Sequence, residues 1–360
     1  MKKNKTIVTI TGIRPDFIRM KEVFRRLDEN FNHIMVHTGQ HYDDSLSKMF
    51  FEDLNIRNPD FTLATGVSSK THYEQMSYLS KEIFYLFERE KIRPDLIVFL
   101  GDSNSALVSS VLFKEGYKIA HIEGGMRSYD RRMPEEVNRV ICDYVSDYIF
   151  VYTPNYKQKL LKENRPEESI FVVGNTIKEI ADQYMPTGPR ARDYIVADIH
   201  RNENLSSPKQ YRYLLEFLNR MGEELKVPVK LVKFKRAEKM IAEHDLLKGL
   251  ERIERVGPYG FLKYLQFQYG ALAVISDSGT AQEECPLLGV PAIVPRNFTE
   301  RPESMENGNS ILIGENRPMD EMVSRSLEFI RNYQVNEERI RWLGDGKTAE
   351  RIVNILMEKL

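Results

Sequence analysis

The sequence predicts an α/β protein built from two doubly wound parallel-sheet domains with a cleft between them, and three observations predict it. Continuous apolar, strand-like runs alternate with helical patterns along the chain. Such runs mark strands buried on both faces of a parallel sheet. The rhythm restarts after about residue 190. Polar residues and glycines stand just after the strands, at Arg14, Gln40, Asp102, Glu123, His200 and Ser278, where an open α/β sheet meets its ligand. Any such sheet needs turns there, but six positions in register outweigh that reading.

The strands of the first domain are taken in order. Thr6–Ile10 closes in Thr11-Gly12, His33–His37 in Thr38-Gly39, and Leu96–Leu100 in Gly101-Asp102. Lys118–Ile122 closes in Glu123-Gly124-Gly125, and Tyr148–Tyr152 and Ile170–Val173 follow. The second set is Tyr194–Ala197, Val229–Val232, Ala271–Ile275 and Pro291–Pro295. Between the sets, Met185-Pro-Thr-Gly-Pro189 is a turn-rich joint. The expected domains are therefore 1–178 and 179–347, with a last helix near 348–360 crossing back to the first.

Composition narrows the function classes. Apolar residues make up 41% and charged residues 29% of 360, an ordinary globular balance that supports two cores without staples. The net charge of -1 gives no support to nucleic-acid or membrane-surface binding, which needs a basic excess. No window approaches a membrane span of about 20 apolar residues. The basic start Met1–Lys5 is followed only by the short run Thr6–Ile10, too short for a signal peptide. The two cysteines, Cys142 and Cys285, have no metal spacing and suggest no disulfide framework. A reducing, cytoplasmic location without a metal is expected.

Several motifs carry chemistry. Gly12-Ile13-Arg14-Pro15-Asp16 offers a tight turn and a helix start to an anion, with Arg14 and Arg19 as candidate diphosphate partners; alternatively, Arg19 is solvated on a helix face. Ser278-Gly279-Thr280 precedes a helix carrying Glu284 and forms a candidate phosphate cradle, with Glu284 placed for a ribose. Asp277 or Ser278 could instead simply cap that helix, although a cap does not need the glycine.

Three acids cluster at loop positions of the first domain: Asp102, Glu123, and one of Glu135 and Glu136. Carboxylates on opposite sides of a ring can take and return a carbon-bound proton. Asp102 could be only a turn former, and Glu135 and Glu136 only first-turn acids on a helix dipole. Glu123, between Ile122 and Gly124, has no capping duty. His200-Arg201 follows the first strand of the second domain and suits a diphosphate or a proton transfer. The chain has neither a Gly-x-Gly-x-x-Gly run at the first strand nor a phosphate-loop lysine motif, so nicotinamide and ATP-hydrolysis chemistry are unsupported and no cofactor is expected.

These residues resemble the bacterial non-hydrolysing UDP-N-acetylglucosamine 2-epimerases. The matching motifs are Gly12–Met20, His37–Asp43, Gly101–Ser105, His121–Arg127, Pro134–Arg139, Gly174–Thr176, Asp198–Asn204, Ser276–Glu284, Thr299–Glu303 and Gly344–Gly346, in the family's order. The resemblance implies a glycosyltransferase-B-like pair of Rossmann-type domains, usually a homodimer, binding a UDP-sugar without NAD. It implies UDP elimination to a 2-acetamidoglucal and re-addition with C2 inverted. By motif, it assigns catalysis to Asp102, Glu123, Glu135 and His200, and nucleotide binding to Arg14, Ser278, Gly279, Glu284 and Arg301. Gln40 and His41 match part of an allosteric site. Arg19 stands where many members have lysine, Gly124 where alanine is common, and Asp43 where a second glutamine is frequent. Val232–Arg236 lacks the histidine of that region. Relatives acting on UDP-2,3-diacetamido-glucuronate or UDP-6-deoxy-N-acetylhexosamines, and a hydrolysing 2-epimerase releasing N-acetylmannosamine and UDP, are the alternatives.

Overall fold

The computed structural model describes residues 4–39, 54–65 and 71–360, with the side chain of Arg14 outside the description. Gln40, His41 and Asp43 also lie outside the described residues. The chain forms two compact units. One comprises Met1–Gln183 with Trp342–Leu360, the other Tyr184–Arg341.

The first unit holds a parallel sheet of seven strands: β1 (Thr6–Thr11), β2 (Asn32–His37), β3 (Phe61–Thr62), β4 (Leu96–Leu100), β5 (Ile119–Ile122), β6 (Tyr148–Val151) and β7 (Ile170–Val172), in the order β3-β2-β1-β4-β5-β6-β7. Leu96–Leu100 is buried at every position, as expected of a central strand covered on both faces. Val8, Ile10, Val36, Ile97, Phe99 and Ile119 pack with Leu79, Ile83 and Phe87 of the helix His72–Arg89. That helix starts in a capping box, Thr71 accepting from the Glu74 amide while the Glu74 carboxylate accepts from the Thr71 amide.

The second unit holds six parallel strands: β8 (Ile195–Asp198), β9 (Val229–Val232), β10 (Ile253–Val256), β11 (Ala273–Ser276), β12 (Ala292–Val294) and β13 (Ser310–Leu312), in the order β10-β9-β8-β11-β12-β13. Its helix Pro208–Leu225, capped by Ser207, packs Leu214, Leu215, Phe217 and Leu218 onto Ile195, Ala197 and Leu231.

Strand order reverses direction between β1 and β4 in one sheet and between β8 and β11 in the other. At such switch points the connections leave in opposite directions and open a crevice at the strands' carboxyl ends. Gly12–Arg14 and Asp102 follow β1 and β4, whereas His200 and Ser278 follow β8 and β11. The helix Thr348–Lys359 packs on the helix Arg14–Asn30 within the first unit.

Candidate active site

In the first unit, the loops after β1, β4 and β5 assemble a charged cluster. Glu123 is buried and has a φ of 75°, a conformation a non-glycine residue holds at a cost of about 1–3 kcal/mol. The peptide is fixed there by the amides of Glu123 and Gly124, both donating to the Phe150 carbonyl at 3.1 Å. Arg19 Nη1 donates to Glu123 Oε2 at 2.6 Å, and the Tyr152 hydroxyl donates to the same oxygen at 3.1 Å. Arg19 is buried, so it is not a solvated residue on a helix face. Gly124 is required by its neighbours. A Cβ there would collide with Ile149 and lie 2.7 Å from Asp143 Oδ1, which explains why alanine does not stand at this position.

Asp102 pairs with Arg139, a buried guanidinium that also lies 3.2 Å from Glu136 Oε2. Asn138 Nδ2 donates to the Asp102 carbonyl at 2.8 Å. The adjacent acids at the start of the helix Pro134–Val145 have different surroundings. Glu136 accepts from the Ser128 amide (2.9 Å), the Ser128 hydroxyl (3.0 Å) and the Tyr129 amide (2.9 Å), and so holds the 128–129 loop. Glu135 is half-buried in the first turn.

Sequence reasoning missed three parts of this cluster. Asp16 is buried, and its Oδ2 has no hydrogen-bond partner among the described residues. Burial, then the charges of Asp102 and Glu123, hold its carboxyl well above the usual range. Arg139 was visible only as the end of a motif; its spacing of three from Glu136 was the available signal. The third part is His121, whose ring lies 2.7 Å from Asp143 Oδ1 and 2.8 Å from the Gly101 carbonyl. Burial works against a charged ring, but Cys142 and Asp143 outweigh it and raise His121 well above the ordinary imidazole range. A doubly protonated ring donates on both sides, tying the turn before Asp102 to the helix that carries Arg139. The Gly125 amide (3.0 Å) and Arg127 (2.8 Å) complete the ring of donors around Asp143.

In the second unit, β8 and β11 are laced together at their ends by Asp277. Its carboxylate accepts from the amides of His200 and Arg201 and from Asn204 Nδ2, each at 3.0 Å. Asp277 therefore does not cap the following helix, Ala281–Leu288, whose start has no side-chain cap. Ser278 and Thr280 hydroxyls lie 3.0 Å apart. A Cβ on Gly279 would overlap the Arg301 guanidinium and approach Glu300 Oε1 to 2.7 Å, so glycine is what lets the 300–301 segment close on this turn. Arg301 is buried and pairs with Glu283 (3.0 Å) and Glu300 (2.7 Å); its position shapes the turn. Glu284, in the first turn of the helix, is also buried.

His200 is half-buried, its ring 4.8 Å from that of Phe234. Its Nδ1 lies 2.8 Å from Asp198 and 3.5 Å from Asp277. Burial disfavours its charge, but Asp277 and Asp198 outweigh it and raise the ring above the ordinary imidazole range. These three side chains are the one group of metal-compatible proximity among the described residues, within 4.8 Å of one another. Asp277 already accepts three N–H groups and Nδ1 faces Asp198, so the group fits a hydrogen-bonded network better than a metal centre.

Residues 25–357 match the family described as UDP-N-acetylglucosamine 2-epimerase. The UDP-N-acetylglucosamine 2-epimerase of Methanocaldococcus jannaschii is 36% identical, covering 96% of this chain and 97% of its own. The UDP-2,3-diacetamido-2,3-dideoxy-D-glucuronate 2-epimerase of Pseudomonas aeruginosa is 33% identical over 87% and 89% of the two chains. The crystal structure of the M. jannaschii enzyme in complex with UDP-GlcNAc and UDP matches with a TM-score of 0.89 at 35% identity, covering 98% of this chain and 99% of that one. A lipopolysaccharide outer core galactosyltransferase, at 16% identity and a TM-score of 0.54, shares the fold alone. The architecture is thus the glycosyltransferase-B-like α/β type, and the chain belongs to the UDP-N-acetylglucosamine 2-epimerase family.

Proposed function

We propose that the protein interconverts UDP-N-acetylglucosamine and UDP-N-acetylmannosamine without hydrolysis, supplying precursors for cell-surface polysaccharide. The observation that carries this reading is the cluster of Asp102, Glu123 and Asp16 around Arg19 and Arg139 at the β1–β4 switch point. In the proposed reaction a base removes the C2 proton, the C1–O bond to UDP breaks, and a C1=C2 double bond forms. Return of a proton to the other face of C2 and attack of the UDP oxygen on C1 restore the nucleotide sugar. Asp102, Glu123 and Glu135 supply the acid and base, with the two arginines setting the charge around the first two. In the second unit, Ser278, Gly279 and Thr280 take the diphosphate, Glu284 the ribose, and His200 and Arg201 the charge on the leaving phosphate. Arg14 is assigned to the nucleotide, and Gln40 and His41 to an allosteric site. We place the enzyme in the cytoplasm, supported by two free, buried cysteines. No described helix is long and apolar enough to cross a membrane.

The P. aeruginosa relative supports a second reading, epimerisation of UDP-2,3-diacetamido-glucuronate. The test is to incubate the protein with each nucleotide sugar and follow proton and phosphorus NMR. UDP-N-acetylmannosamine with its diphosphate ester intact is expected. Free N-acetylmannosamine with UDP would mean a hydrolysing enzyme, and turnover of the diacetamido substrate alone would favour the second reading.

A further inference from the structure

Asp198 ends β8 two residues before His200 and is buried. Both its oxygens are held: Oδ1 lies 2.8 Å from His200 Nδ1, and Oδ2 accepts from the Tyr264 hydroxyl, on the helix Phe261–Tyr269, at 2.7 Å. The carboxylate cannot turn without breaking one of these bonds. Phe234 covers a face of the imidazole, and His200 Nε2 makes no hydrogen bond to any described residue. The side chain is 30% exposed.

We propose that Asp198 is a positioning residue for His200. It keeps the proton on Nδ1, fixes the ring, and leaves a charged Nε2–H edge to donate to an anionic oxygen of the diphosphate. This rests on the nucleotide-binding role given above to the second unit. A carboxylate on Nδ1 fixes the tautomer and favours the imidazolium. The charged groups around the ring are Asp198, Asp277 and Arg201, with Tyr264 acting through Asp198. Asp277 is saturated by backbone amides and Asn204, so its contribution is fixed by the fold, whereas Asp198 is directed at the ring. Burial alone would raise Asp198, yet His200 and Tyr264 outweigh it and hold it below the usual carboxylate range. The proton thus stays on the imidazole.

The experiment uses nitrogen-15 NMR of the histidine side chains in the full chain, with His200→Gln to assign the signal, and UDP titration calorimetry at pH 5.5 and 7.5. In the wild type, both nitrogens of His200 are protonated at pH 7. Asp198→Asn keeps size and an acceptor for Nδ1 but removes the charge. Its His200 titrates at lower pH, and its UDP affinity relative to wild type falls about tenfold or more at pH 7.5 but little at pH 5.5, where the ring is charged in both proteins. The ratio to wild type cancels the titration of UDP itself. A neutral His200 in the wild type at pH 7 overturns the proposal even if Asp198→Asn fails to fold, as does a loss of affinity equal at both pH values. If His200 titrates as described but UDP binds at neither pH, the nucleotide-binding reading fails and the coupling of Asp198 to His200 stands.

Discussion

Glu123 shows how much of its surroundings a single residue can organise. Its backbone sits in the left-handed region, its carboxylate faces Arg19 and Tyr152, and the glycine after it leaves no room for a side chain. A turn alone would be met more cheaply by glycine at that φ. Asp102 is likewise held by a buried arginine. Changing Glu123 to Gln or Asp102 to Asn keeps shape but removes the base, so turnover should fall about 100-fold or more. UDP affinity, measured by calorimetry, should stay nearly unchanged. Near-normal turnover with a loss of about 1 kcal/mol in stability would instead mark them as ordinary turn carboxylates. The positions of Asp102, Glu123, His200 and Ser278 just after strands were legible because the buried strands they follow read as apolar runs. Their partners were not. Arg139 lies 37 residues from Asp102, and Arg19 lies 104 from Glu123, and no local pattern selects one arginine among many. Asp16 reads as an ordinary first-turn acid until the fold encloses it with two other carboxylates.

At the scale of elements, the interior strands were readable and some edges were not. Leu96–Leu100 and Ala273–Ser276 are buried throughout and read as apolar runs. The strands absent from the sequence reading, β3, β10 and β13, lie at sheet edges. Phe61–Thr62 has only two residues, and Ile253–Val256 exposes Glu254 and Arg255, so neither produces an apolar run. One buried acid meets the start of the last helix. Glu179 is buried and accepts from the Ala349 amide at 3.1 Å. Burial, with the charge of Glu22, raises its pKa from 4.5 to about 7, against the pull of that amide, Arg26 and Arg25. Because the folded value exceeds the unfolded one, its stabilising contribution is full below about pH 4.5 and is lost as pH rises through about 7. Glu179→Gln keeps an acceptor without the titration. Its melting temperature should match wild type near pH 4.5 and exceed it above pH 7, corresponding to roughly 3 kcal/mol at most. Equal pH profiles for the two proteins would contradict this assignment.

For the whole molecule, the chain builds one unit from both its ends. The Asn175 amide donates to the Leu343 carbonyl and Thr348 Oγ1 to the Asn175 carbonyl, while Ile352, Val353 and Leu356 are buried where the final helix meets the first. The same unit leaves Tyr73, Phe84 and Tyr85 of the helix His72–Arg89, and Val137, Val140 and Tyr144 of the helix Pro134–Val145, exposed. Solitary apolar residues need no explanation, but this many on two helices of one unit are the surface on which to test the homodimer that the family resemblance implies. Val140→Glu with Tyr144→Glu should convert a dimer to monomers in sedimentation velocity, with circular dichroism unchanged. A wild type that sediments as a monomer at micromolar concentration would contradict the assembly.

The central claim is that carboxylates of the first unit move the C2 proton while UDP leaves and returns. Its most direct measurement is proton NMR of UDP-N-acetylglucosamine incubated with the protein in deuterated water. The account predicts deuterium at C2 of both UDP-N-acetylglucosamine and UDP-N-acetylmannosamine, with each sugar still joined to UDP, and loss of that labelling in Glu123→Gln. Epimerisation that keeps the original proton on C2 would contradict it.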